Sequence, residues 1–273
     1  MPTTTPTVEA LSTHIAGWGF RLLAAVALLI GAALVLFPGH TADYFAWTIK
    51  APIAAATLGV WFLGLSGFAW ALSRGPVSAM RAASPAIAVG SALMLVATIL
   101  HRAAFNWGSP AAWAWLLLYI AAPPGFMAST FLLRGPDRPS ETAPRPSTLL
   151  RGAALTTAGC AGTMGTILFL WPTVLIPSWP WPLLPLGART YAAFAVGHAL
   201  WAWLVARGQV GRSGSLWYLA FFPLAAFIAP WLQPAGFRPS SPGGVVFLLV
   251  TGGLAALTAC ALRAERQRAG QHT

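Results

Sequence analysis

Long apolar runs alternate with short polar or proline-marked breaks along the whole chain. An α-helix crosses the hydrocarbon core of a bilayer with about 17–25 mostly apolar residues. Eight runs meet that length: 18–37, 52–73, 84–104, 111–133, 152–171, 188–206, 215–232 and 243–262. Each predicts a transmembrane helix, so the expected fold class is all-α integral membrane. The first run is long for the apolar part of a leader peptide. It lacks a basic segment before it and a small-residue cleavage site after it, and it reads as a retained span.

The breaks between runs recur in order. "LFP" (36–38) returns as "LWP" (170–172), 134 positions on, and at the same offset Phe45 and Trp47 fall on Trp179 and Trp181. After a one-residue slip, "FAWALSRG" (68–75) matches "WAWLVARG" (201–208), and Ser109-Pro110 matches Ser241-Pro242. Self-similarity of this kind is the mark of an internal duplication. The expected architecture is two four-helix repeats, 18–133 and 152–262. Four crossings is an even number, so the repeats are expected to be parallel, related by an axis along the membrane normal. Residues 134–151, "RGPDRPSETAPRPSTLLR", are rich in proline and polar side chains and read as a linker, with tails at 1–17 and 263–273.

Composition strengthens the membrane reading: 57% of the 273 residues are apolar and only 8% are charged. A soluble domain carries about 25% charged residues. The net charge of +11 does not indicate nucleic acid, because the arginines mark run ends and form no basic face with interleaved aromatics. Only Lys50, Arg102, Arg189 and Arg238 of the sixteen basic residues fall at the odd-numbered breaks; the other twelve fall at the opposite end. Basic residues concentrate on the cytoplasmic side. The protein is therefore expected in the cell membrane with both termini cytoplasmic. Cys160 and Cys260 both lie inside apolar runs and offer no disulfide framework.

The segment "FAWTIKAPIAAATLGVWF" (45–62) resembles a motif of uncharacterised multi-pass membrane proteins from GC-rich bacteria. "WPWPLLPLGAR" (179–189) is similar to its second-half partner in those proteins. The resemblance implies the membrane class and no activity.

Two outer segments carry the candidate chemistry. Residues 41–50 predict a short interfacial helix, with Ala42, Phe45, Ala46 and Ile49 on one face and His40, Asp43, Trp47 and Lys50 on the other. Thr41 is the expected cap. Its counterpart around Trp179 and Trp181 carries Pro177, Pro180, Pro182 and Pro185, which predict an extended path. Two readings of these segments stay open: an aromatic belt in the interface, or a polar lid over an outward-facing cavity. Arg189 follows as either a snorkelling side chain or an anion-binding one. The candidate ligand-binding residues are Asp43, Trp47, Lys50, Trp181 and Arg189. Two further polar side chains are candidates for burial: His101, near the outer end of the third run, and His198, near the middle of the sixth. No Cys, Met or carboxylate pattern completes a haem or metal site around either histidine, so no cofactor and no metal is expected. The small-residue stretches "TTAGCAGTMGT" (156–166) and "TGGLAA" (251–256) predict close packing of the fifth and eighth spans.

No Asp or Glu falls within any run, and no phosphate-binding loop, HExxH or GxSxG motif is present. Three functions remain. The chain binds or moves a small amphipathic or lipid-like ligand at an outward-facing cleft between the repeats. Alternatively, it is a non-catalytic assembly subunit whose aromatic belt meets a protein partner or a second copy. The least favoured is a lipid-modifying enzyme, because the carboxylates and histidines are scattered. The bilayer is the one partner common to all three.

Overall fold

A computed structural model describes residues 8–133, 146–210 and 216–270. Eight main helices run in chain order: α1 (Val8–Leu36), α2 (Pro52–Ser73), α3 (Val77–Leu100), α4 (Pro110–Leu132), α5 (Thr148–Leu170), α6 (Pro185–Ala206), α7 (Tyr218–Ile228) and α8 (Pro242–Gly270). Six of them, α1 to α5 and α8, are long and apolar enough to cross a membrane. Six such helices make the chain a helical multi-pass membrane protein. Helix α6 has 22 residues, but Arg189 and His198 interrupt its apolar character. Helix α7 has only 11 residues and tightens into a 3₁₀ turn over Ala229–Leu232, where Pro230 cannot continue the α-helical hydrogen bonding.

Proline and arginine punctuation fixed α2 at the bounds its apolar run predicts. Helix α3 starts seven residues earlier than expected, because it continues through Pro85. Neighbouring helices and local adjustments make prolines tolerable inside membrane helices. The predicted linker is also shorter at its far end. Ser147 caps α5 by accepting from Leu150 N at 3.1 Å, and residues 148–151 are already helical. Residues 134–145 of the linker lie outside the described residues, as do 1–7 and 271–273 of the tails.

The helices pair in one pattern within both halves. Helix α1 packs along α2, and α5 along α6; α3 packs on α4, and α7 on α8. Across the halves, α3 packs on α6 and α7 on α2. Close approach uses small residues. A Cβ on Gly31 would lie 2.8 Å from Gly59 O, and one on Gly165 would lie 3.2 Å from Ala192 O. Gly90 and Gly197 bring α3 and α6 together in the same way. The predicted tight packing of α5 on α8 is not found as such. Helix α5 lies mainly on α6 and α8 mainly on α7, because the glycine and alanine faces of α5 meet α6.

One end of the bundle is built from aromatic side chains, and we call it the Trp-rich end. Phe45, Trp47, Phe105 and Trp115 form one cluster there, with Trp47 and Trp115 edge to face at 4.9 Å. Trp179, Trp181, Phe237 and Phe247 form another, with Trp181 and Phe247 edge to face at 5.2 Å. Each cluster is stitched by one backbone hydrogen bond: Asn106 N donates to Ala46 O at 3.0 Å, and Arg238 N donates to Pro180 O at 2.9 Å. At the opposite, arginine end, Arg74 lies over Trp70 and Arg207 over Trp203.

Candidate functional site

The first outer segment is not the ten-residue amphipathic helix the periodicity predicts. Only Thr41–Tyr44 is helical, because Phe45 turns to an extended conformation (φ −101°, ψ 165°). Thr41 closes the loop rather than capping the helix: its hydroxyl accepts from Ile49 N at 2.8 Å. Phe45 and Trp47 then both point inward, since an antiparallel bridge pairs Trp47 with Phe105. Trp47 is 5% exposed and Trp181 is fully buried, so neither stands in an aromatic belt. Tyr44 anchors the same loop by donating to Ala33 O at 2.9 Å, and its partial burial raises its pKa. Asp43 and Lys50 are exposed and form no ion pair with each other.

The second outer segment opens with a helical turn, Pro172–Leu175, and a 3₁₀ turn, Ile176–Ser178. It becomes extended from Trp179. The extended path predicted from its prolines therefore holds only for its later part.

Arg189 and His101, 88 residues apart in sequence, meet. The Arg189 guanidinium lies 2.7 Å from His101 Nε2, and its Nε donates to Phe169 O at 2.9 Å. Phe169 sits in the last turn of α5, where carbonyls lack helical partners. Partial burial first, and the neighbouring guanidinium second, hold the His101 pKa below its ordinary value. His198 is elsewhere, 2% exposed in the bundle interior, with its ring stacked on Phe222 at 4.5 Å. The structure thus unites Arg189 with His101. It leaves Asp43 and Lys50 on the surface, Trp47 and Trp181 in separate clusters, and His198 alone at mid-bundle.

Two of the cavities among the described residues bear on function. The smaller, about 80 Å³, is enclosed by α1, α2, α3 and α4 against α6, and His198, Ser91 and Tyr119 are among its lining residues. The larger, about 570 Å³, lies between α5, α7 and α8 and is closed by Trp61 of α2. Trp179 and Pro180 roof it at the Trp-rich end. None of its lining residues carries a charge. Among the described residues, the buried indole N–H groups of Trp61 and Trp179 have no hydrogen-bond partner. A buried donor without an acceptor costs about 1–3 kcal/mol. A bound molecule offering an oxygen would relieve that cost.

The residues around this larger cavity escape a reading of either half alone. Thr157, Cys160 and Thr251 look like ordinary members of apolar runs.

No family model, curated protein or solved structure matches the chain.

Proposed function

We propose that this protein binds a small amphipathic, lipid-like ligand at the Trp-rich, outward-facing end of a duplicated membrane bundle. The single observation that carries the proposal is the uncharged cavity of about 570 Å³ beneath Trp179. Its volume falls within the roughly 300–1,000 Å³ of ordinary ligand pockets. It lies where the second half meets α2 of the first, and its two unpartnered indoles are donors waiting for an acceptor. Trp47 and Trp181 hold the covering segments in place from within. Asp43, Lys50 and Arg189 supply charge at the same end, near the plane where a headgroup would stop.

The architecture in this proposal is two parallel repeats of four crossings each, with both termini in the cytoplasm. Its support is the recurrence of contacts. The pairing pattern of helices is the same in both halves, and the two aromatic clusters have matched members and matched stitching bonds. Residues in equivalent positions also touch each other: Trp61 meets Phe194 at 5.9 Å, and Phe68 meets Trp201 at 4.8 Å. Self-contact of equivalent positions is what a two-fold interface requires. The excess of arginine at the other end supports the orientation.

Native mass spectrometry of the detergent-purified protein tests ligand binding. The expected result is a discrete adduct of lipid-like mass that denaturation releases. A bare protein mass under gentle conditions would contradict the proposal.

A further inference from the structure

We infer that the larger cavity receives the hydrocarbon chain of a membrane lipid, which enters sideways from the bilayer between α5 and α8, and that only the second half does so. The inference deepens the ligand-binding proposal and rests on it and on the two-repeat reading.

Under that reading the two cavities stand in equivalent places. Ala27 and Ile30 of α1 line the smaller one, and their counterparts Ala161 and Met164 of α5 line the larger. Leu118 and Ala122 of α4 correspond to Val250 and Leu254 of α8 in the same sense. Phe194 closes the first cavity from across the interface, as Trp61 closes the second. What differs is bulk. Leu23, Val26 and Tyr119 face the first cavity where Thr157, Cys160 and Thr251 face the second. Phe126 adds a further ring to the first, at a position that is Thr258 in the second half. At these four positions the first copy carries the larger side chain and the second the smaller, against one change the other way, Ala122 to Leu254.

The mouth identifies where the ligand comes from. Cys160, Thr163, Val246 and Val250 line the larger cavity and are exposed, Val246 to 60%. No residue lining the smaller cavity is exposed. Both α5 and α8 are among the helices apolar enough to span, so an opening between them faces hydrocarbon rather than water.

The lining identifies the chemistry. Two of its hydroxyls are already used within their own helices: Thr157 donates to Ala153 O at 2.9 Å and Thr251 to Phe247 O at 2.7 Å. With no charged lining residue, the interior suits a chain and not a headgroup. Among the described residues, the buried donors of the lining without a partner are the indoles of Trp61 and Trp179, and an ester or phosphoester oxygen is a fitting acceptor for them.

Photo-crosslinking in reconstituted vesicles tests this. One arm uses a phospholipid with a diazirine in its acyl chain; the other uses a polyprenyl phosphate with a diazirine in its isoprenoid chain. The expected result in at least one arm is labelling of α5 and α8 at residues around Cys160 and Leu254. Thr251→Tyr, which copies the first half, should abolish it. Leu254→Phe fills the same space from another turn and is run beside it, so that misfolding of one variant does not decide the outcome. Labelling spread over all exposed helix faces and unchanged in both variants would overturn the inference. A discrete adduct by mass spectrometry with crosslinks elsewhere in the bundle would overturn it too, yet leave ligand binding standing. Absence of any adduct would defeat the underlying proposal instead.

Discussion

Arg189 lies in the first turns of α6, and its contacts explain what it does. Its guanidinium satisfies an end carbonyl of α5 through Phe169 and holds His101 at the end of α3. It therefore ties together three helices, α3, α5 and α6. Neither residue alone announces the pairing. They are 88 positions apart, and the contact exists only because α3 crosses α6. His101 must stay neutral to accept from Arg189. Its folded pKa lies below the ordinary value, so the folded state binds fewer protons than the unfolded one in the window between the two. The contribution is complete above 6.5 and is lost as pH falls toward the lower folded value. Thermal stability should thus decline on acidification below 6.5, and His101→Gln should flatten that decline. The chain has only five carboxylates and four other histidines to confuse the profile. An identical profile in the variant would contradict the pairing.

At the scale of elements, the outer segments were the hardest to read and carry the most structure. A period of 3.6 over 41–50 is present in the sequence, yet the helix stops at Tyr44. The reason is tertiary: Phe45 and Trp47 both gain burial by turning extended against Phe105 and Trp115, and burial of two large rings outweighs one further turn of helix. Sequence periodicity cannot weigh a partner 60 positions away. Six of the eight predicted spans were more legible, because an apolar run flanked by proline and arginine needs no distant partner to be recognised. The clusters should behave as packed cores. Trp181→Ala is expected to cost about 3–5 kcal/mol, in the range for removing a buried aromatic. Trp70→Ala, at 46% exposure, is expected to cost much less. Unfolding in mixed micelles reads the difference, and equal losses would show that the buried cluster is not a structural core.

At the scale of the molecule, the decisive question is whether α6 and α7 cross the membrane. Six helices qualify by length and apolarity, and α6 misses only because Arg189 and His198 lie in it. Both are accommodated inside the bundle, where α6 is covered by α3 and α5. A helix shielded by its neighbours needs less apolar surface than one facing lipid, so composition alone undercounts buried spans. The proposed two-repeat architecture requires eight crossings, with residues 171–184 and 207–210 on opposite faces. Six crossings would leave both on one face. Single cysteines at Ser178 and Gln209, each exposed and each placed in a Cys160→Ala, Cys260→Ala background, separate these directly. With a membrane-impermeant maleimide, the two-repeat architecture predicts that S178C labels in intact cells and Q209C only after permeabilisation. Labelling of both in intact cells would contradict it.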